Sequence, residues 1–162
     1  MWCPEPKHLL LFILVCALAG CGFQLRTSDI SRIDAIHISG SVSSDMRRAF
    51  QESLSAHGVE STADAPGVIN VQILDQRSSR RPVSTSASID AAQYELRLEM
   101  DIAILRDGQP LTTDMTVFAE RIYSLDSVNL SGSYEEQQLL MDGIRADLVS
   151  QVIRRIVSVT PQ

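Results

Sequence analysis

The chain has 162 residues, a formal net charge of -6 and 44% hydrophobic residues. This hydrophobic content is enough for a folded core and argues against a disordered chain, and the length suits one compact domain after a leader. The acidic balance argues against a nucleic-acid partner, because proteins that bind nucleic acids are normally basic.

The N-terminus has the pattern of an export signal. Lys7 and His8 precede an apolar run over residues 9–18, and the small residues Ala19 and Gly20 follow it. The run is about half of the roughly 20 apolar residues that a transmembrane helix needs. Its length and its small-residue end are instead typical of a cleaved leader. We therefore predict a signal peptide over residues 1–20.

Cys21 follows this leader, and the stretch "LAGC" resembles the lipobox of bacterial lipoproteins. In that class the signal is cut before the cysteine, which is then acylated, so we predict lipidation of Cys21. Cys3 and Cys16 would leave with the leader, and the mature chain would then contain no disulfide. Gly22, where an Asp commonly marks retention in the inner membrane, favours the outer membrane. The alternative is an ordinary secretory signal with a chance cysteine.

The rest of the chain divides into a polar tether over residues 21–31 and a single domain over residues 32–162. Residues 32–39 are β-branched and predict a strand. The next segment has apolar residues four apart on one helical face, at Met46, Phe50 and Leu54.

Capping residues bound this helix. Ser43 or Ser44 is expected to begin it, and Gly58 follows its last turn. Residues 59–67 are expected to form a loop. Alternating apolar residues then predict a half-buried strand over residues 68–74.

Residues 75–90 are rich in Ser and Arg, and we expect a long mobile hairpin loop there. The clearest strand follows, from Tyr94 to Ile104, with apolar residues at every second position. The charged residues between them are Glu95, Arg97, Glu99 and Asp101.

Asp107 and Gly108 predict a type I′ turn, and the partner strand is expected over residues 111–123. Ser133 and Glu136 fit a capping box before a long helix that ends near Val157. The apolar stripe of this helix comprises Leu140, Ile144, Leu148, Val149, Val152, Ile153 and Ile156.

The element order β-α-β-β-β-α predicts an α+β fold. Each helix has one apolar stripe, and the best strand has one apolar face. The simplest arrangement is a two-layer sandwich in which both helices cover one face of a four-stranded mixed sheet. The other face of the sheet is then left charged.

No residue pattern indicates catalysis, a metal or another cofactor, and we do not expect an enzyme. The domain has two histidines, His37 and His57, which lie far apart in the sequence and have no ligand spacing. Its serines lie in no G-x-S-x-G turn, and no glycine-rich phosphate loop is present.

Two groups of charged residues are candidate binding sites. Arg77, Arg80 and Arg81 cluster in the expected loop, and arginine clusters suit phosphate groups. The charged strand face is the second group. For both, a merely solvated surface is the alternative.

Several features together resemble the LPS-assembly lipoprotein family, LptE. They are the lipobox and the "CGFQLR" after it, the element order, "AQYEL" at residues 92–96, "ERIYS" at residues 120–124, and the amphipathic C-terminal helix. The resemblance implies a non-catalytic protein, anchored on the periplasmic face of the outer membrane. It also implies a partner, the β-barrel protein LptD, in which the protein sits as a plug while lipopolysaccharide reaches the cell surface.

The family's lipopolysaccharide contacts are basic residues in two places, after the second strand and before the last helix. The resemblance assigns the first to Arg77, Arg80 and Arg81, but the second place holds Ser131, Gly132 and Ser133, with no basic residue. Contact with the barrel is expected from the charged strand face at Glu95, Arg97, Glu99 and Asp101. The alternative function is a lipoprotein chaperone or stabiliser of another envelope assembly machine.

Overall fold

Strands and helices alternate along the chain in a computed structural model, which describes residues 30, 33–85, 91–126 and 129–160. The predicted leader, Cys21 and most of the tether lie outside these residues. The elements are β1 (Ala35–Gly40), α1 (Ser44–Ala56), β2 (Glu60–Ser61), β3 (Ile69–Thr85), β4 (Ala91–Arg106), β5 (Gln109–Pro110), β6 (Met115–Asp126) and α2 (Leu130–Val159).

All strands join one mixed sheet in the order β2-β1-β3-β4, and β5 and β6 follow each other along the outer edge of β4. β1 is parallel to β2 and to β3, so α1 is the crossover connection between parallel strands. The remaining pairs are antiparallel. The predicted α+β class and element order are confirmed, with two short strands added.

The two added strands correct details of the prediction. The segment 59–67, expected to be a loop, contributes β2 beside β1, and the backbone N–H of Glu60 donates to Asp34 O. The expected strand 111–123 is interrupted after β5. The Leu111 N–H still donates to Ile104 O of β4, but residue pairing with β4 resumes only at Met115.

The end groups of α1 are those that the sequence predicts. The Ser43 side chain accepts a hydrogen bond from the Met46 N–H, and Gly58 has a φ of 73°. The helix buries Met46, Phe50 and Leu54 in the core. Because these side chains lie on one face, the helix packs against one side of the sheet.

Both helices cover the same face of the sheet. The core consists of even-numbered residues of β4 from Leu96 to Ile104, together with apolar residues of the neighbouring strands and of the two helices. In α2 the predicted stripe is buried from Ile144 to Ile156, and Leu140 is half-buried. We call the other side of the sheet, marked by the odd-numbered residues of β4, the open face.

The N-terminus of α2 differs from the prediction. The helix begins at Leu130, and the Asn129 side chain caps it by accepting from the Gly132 N–H at 3.1 Å. Ser133 is buried inside the first turns, so the predicted capping box at this residue is wrong. Asn is among the strongest N-cap residues, and its position extends the helix by a turn.

Candidate functional site

The arginine cluster lies on a strand and not on the predicted loop. β3 continues to Thr85 and pairs with β4 along this length, with irregularities after Ile73 and after Pro82. The apolar alternation of β3 stops where its residues no longer face the core, which is why the sequence suggests a loop. The described strands therefore hold the arginines in a fixed register.

The register separates the three arginines. Arg77 is opposite Glu99 and Arg81 is opposite Glu95, so both lie on the open face. Arg80 is opposite Leu96 and lies on the helix-covered side. Successive residues of a strand point to opposite faces, and a residue pattern that is compact in sequence is divided between two surfaces.

Arg77 joins two strands of the open face. Its guanidinium donates to Asp101 at 2.7 and 3.3 Å, contacts Asp75, and lies 3.6 Å from Glu99. Asp101 also accepts from the Thr116 hydroxyl at 2.6 Å. These hydrogen bonds, first that of Arg77 and then that of Thr116, hold the pKa of Asp101 below its usual range. The hydrogen bonds to Asp101 and then to Asp75 raise the pKa of Arg77.

Arg97 extends this network to the edge strand. It donates to Glu99 at 2.7 Å and to Glu120 of β6 at 2.9 Å, and both contacts raise its pKa. Its guanidinium lies 3.9 Å from the centre of the Phe118 ring. Ion pairs thus cross β3, β4 and β6 on the open face.

Arg81 and Glu95 form a separate bidentate pair, with distances of 2.6 and 3.0 Å. Glu95 is only 5% exposed, although it belongs to the open face. The hydrogen bond from Arg81 lowers the pKa of the Glu95 carboxyl and outweighs the opposing effect of burial. Arg81 therefore favours the charged form of the Glu95 carboxyl group.

Arg80 has a different environment from the other two arginines. Its guanidinium lies 3.9 Å from the centre of the Tyr94 ring and 5.7 Å from that of Tyr123. The Tyr123 hydroxyl donates to Gln137 of α2 at 3.0 Å. Within the described residues Arg80 has no carboxylate partner, and its guanidinium makes cation–π contacts with the two tyrosine rings instead.

Sequence reasoning identified the charged side of β4 but missed three residues of β6 that complete the open face. Glu120 pairs with Arg97, while Phe118 and Ile122 are 46% and 60% exposed. In the β4–β6 register, Glu120 is opposite Arg97, Phe118 is opposite Glu99, and Ile122 is opposite Glu95. Alternation within the predicted partner strand is the pattern from which they could have been found.

Each of the two histidines of the domain makes a hydrogen bond to a backbone carbonyl. His37 Nδ1 donates to the Thr62 carbonyl at 2.8 Å, and His57 Nδ1 donates to the Ser53 carbonyl at 2.7 Å. Among the described residues no group of three or more His, Cys, Asp or Glu side chains is placed to hold a metal ion.

A comparison with protein families gives a match to LptE, lipopolysaccharide-assembly, over residues 29–156. The chain belongs to the LptE family. Membership of this family supports a role in lipopolysaccharide assembly. It also confirms the resemblance noted from the sequence, and the match spans every described strand and helix up to Ile156.

Solved lipoprotein structures share the fold. A minor lipoprotein from Acinetobacter baumannii has a TM-score of 0.64 at 20% identity, with 77% of this chain and 91% of that chain covered. The rare lipoprotein B from Shewanella oneidensis has a TM-score of 0.64 at 19% identity, with 76% and 94% covered. Lipoprotein B from Nitrosomonas europaea has a TM-score of 0.63 at 21% identity, with 78% and 83% covered.

Neither described helix has the combination of length and apolar character needed to cross a membrane.

Proposed function

We propose that this LptE-family chain is a non-catalytic, lipid-anchored protein of the outer membrane that assembles lipopolysaccharide together with an LptD β-barrel. The family match and the ion-paired open face support the proposal. The open face is the observation behind the proposal, because its ion pairs cross three strands and neither helix covers it.

The composition of the open face suits a polar wall. Three arginines, Arg77, Arg81 and Arg97, meet five carboxylates, Asp75, Glu95, Glu99, Asp101 and Glu120. Each carboxylate contacts at least one arginine, so contact with a surface does not leave an isolated charge without water, although the group keeps two excess negative charges (3 − 5 = −2). The lumen of a membrane β-barrel is polar, and charge pairs at such a contact fix orientation.

Photocrosslinking in cells tests this contact. A benzoylphenylalanine probe at Phe118 replaces one aromatic residue by another on the open face, where the side chain is 46% exposed. A matched probe at Leu139 lies on the outer side of α2 and is 73% exposed. We expect the Phe118 probe, and not the Leu139 probe, to form an adduct with a large barrel protein identified as LptD.

The outcome separates the two functions under consideration. An adduct between the Phe118 probe and a different envelope protein would favour the chaperone or stabiliser. Equal adducts from both probes would contradict a contact directed by the open face.

We further propose that Arg77, Arg80 and Arg81 contribute to lipopolysaccharide contact, with Arg80 as the principal residue. Arg77 and Arg81 would have to exchange their carboxylate partners for a phosphate. Arg80 lies on the tyrosine side of the strand and is exposed, so it reaches an anionic ligand without breaking an ion pair.

The proposed anchor is Cys21, after cleavage of a signal peptide over residues 1–20. We expect wild-type protein to incorporate labelled fatty acid and Cys21→Ser to incorporate none, because acylation needs the thiol. Outer-membrane fractions should contain the wild type but not the variant. Labelling of the Cys21→Ser protein would contradict the proposed anchor.

A further inference from the structure

A second surface lies along the outer edge of β6, next to the last turns of α2. Here the last turns of α2 and the start of β6 enclose a groove of about 460 Å³. Its lining includes Thr116 and Phe118 of the strand and Gln151, Arg154, Arg155 and Ser158 of the helix.

The charge of this groove is unusual for an acidic chain. Arg154 and Arg155 are exposed, and neither has an ion pair within the described residues. No carboxylate belongs to the lining of the groove in this part of the chain. The groove therefore concentrates positive charge that the protein itself does not neutralise.

The groove between α1 and α2 is a useful contrast. It is larger, at about 660 Å³, and it also contains two arginines. There Arg145 pairs with Asp142 at 2.6 Å and with Asp45 at 3.4 Å, and Arg48 lies 3.8 Å from Asp45. Carboxylates occupy those guanidinium groups, so that groove is a poor site for an anion.

The edge of β6 adds backbone donors to the second groove. The Leu111 N–H donates to Ile104 O at 2.8 Å. The backbone N–H and C=O groups of the even-numbered residues of β4 are therefore directed towards β5 and β6. In the β4–β6 register, Met100 is opposite Val117, so the backbone N–H and C=O groups of the odd-numbered residues of β6 are directed towards β4. The even-numbered residues, including Thr116 and Phe118, then direct their N–H groups outwards.

Two side-chain contacts agree with this direction. Gln151 Nε2 donates to Phe118 O at 2.9 Å, and Arg121 Nη1 donates to Glu120 O at 2.9 Å. Both carbonyls lie on the outer edge, and side chains cover them. Within the described residues no group accepts from the outward N–H groups of Thr116 and Phe118, so these donors are open at the groove beside Arg154 and Arg155.

We propose that this groove is an anion-binding site for a phosphate group carried by a glycolipid. Guanidinium forks and backbone N–H groups are the donors that phosphate oxygens prefer. The glycolipid source of the phosphate rests on the proposed function in lipopolysaccharide assembly, whereas the preference for an anion rests on the groove alone. The rival occupant is an acidic extended peptide that adds to the free strand edge.

The test measures binding by protein purified from outer membranes in detergent. The double variant Arg154→Gln/Arg155→Gln removes both groove charges, and its exposed positions allow normal folding. The control Arg48→Gln/Arg121→Gln removes two charges that have carboxylate partners, so both variants change the net charge equally. Calorimetric titrations use lipopolysaccharide, chemically dephosphorylated lipopolysaccharide, inorganic pyrophosphate and an Asp-rich peptide.

We expect the groove variant to bind lipopolysaccharide at least about tenfold more weakly, since it loses two charge-assisted contacts, and the control to stay within about twofold. Dephosphorylated lipopolysaccharide should bind the wild type as weakly as the intact ligand binds the groove variant. Pyrophosphate should bind the wild type and not the groove variant.

Several results would overturn the proposal. Equal losses in the two variants would mean that net charge alone governs binding, and no loss in the groove variant would exclude the site. Arginine-dependent pyrophosphate binding without lipopolysaccharide binding would reject the glycolipid source. Arginine-dependent binding of the Asp-rich peptide alone would assign the edge to a peptide. None of these results depends on the barrel contact, which the crosslinking experiment tests separately.

Discussion

The inner and outer parts of β3 are both extended strand, but different interactions stabilise them. Its inner part, Ile69 to Ile73, lies between β1 and β4 and buries Ile69, Val71 and Ile73 under the helices. Its outer part, from Asp75 to Thr85, pairs with β4 alone and has exposed side chains from Arg77 to Val83 on both faces. Burial of apolar side chains stabilises the inner part, and ion pairs to the neighbouring strand are found in the outer part.

This difference explains where sequence patterns succeed. Apolar alternation is visible only where one face of a strand is buried. The outer part of β3 pairs its backbone with β4, and Arg77 and Arg81 pair with β4 carboxylates. Neither kind of partner can be recognised in a local window of sequence. A Ser- and Arg-rich segment then resembles a loop although it is an ordered strand.

The largest effect is expected from truncation in the inner part. Ile73→Ala removes a side chain that is 1% exposed, and loss of buried methyl groups together with the resulting cavity costs about 2–5 kcal/mol. Ser79→Ala in the outer part is exposed and should change the free energy of unfolding by about 0.5 kcal/mol or less. Chemical denaturation of both variants measures the contrast. Similar losses would mean that burial does not distinguish the two parts of the strand.

Close packing of the inner part against β1 predicts the next effect. Gly40 has a φ of 85°, and a Cβ there would lie 2.1 Å from Ile73 O. Gly40→Ala adds overpacking to left-handed backbone strain and should cost about 3 kcal/mol. Gly58→Ala has a φ of 73° with no atom within 4 Å of the new Cβ, and should cost only about 1–2 kcal/mol of strain. If thermal unfolding ranked the two variants equally, the contact with β3 would be irrelevant.

The outer part should reveal its ion pairs through pH. Arg81 lowers the pKa of Glu95, so this pair stabilises the fold above the pKa of about 4.3 of an unfolded Glu. That stabilisation is lost as the pH falls through the lowered pKa of the folded protein. Arg81→Ala should therefore be less stable than wild type at pH 7, and the difference should shrink as the pH falls below about 4.

Denaturant titrations of wild type and Arg81→Ala across this pH range measure the effect. Arg48→Ala is a suitable control, because its partner Asp45 lies 3.8 Å away and both side chains are at least half exposed. A stability difference for Arg81→Ala that does not change with pH would contradict the role of the Glu95 charge.

The sequence predicted most of the buried architecture and less of the candidate site. Met46, Phe50 and Leu54 and the α2 stripe around Leu148 were found because their spacing records a single buried face. The N-cap at Asn129 was missed because Ser133 and Glu136 offered a competing local pattern. Within the site, β4 showed its charged side by alternation. The division of the three arginines depends on whether residues 75–85 form a strand, and that depends on pairing with β4.

The smallest structural effect, and the sharpest functional one, is expected at Arg80. Its exposed guanidinium stacks on Tyr94 and has no carboxylate partner in the described part of the chain, so Arg80→Ala should cost less than about 1 kcal/mol of stability. If this arginine meets an anionic glycolipid from the tyrosine side, the same variant should weaken lipopolysaccharide binding by about two- to fivefold.

Arg77→Ala is the matched control, because it lies three residues away on the same strand but on the open face, where Asp101 already binds it. Titration of both variants with lipopolysaccharide shows which face of β3 contacts the ligand. A loss in Arg77→Ala alone would move the contact to the open face, and equal small losses would mean that the outer part of β3 contributes only its overall charge.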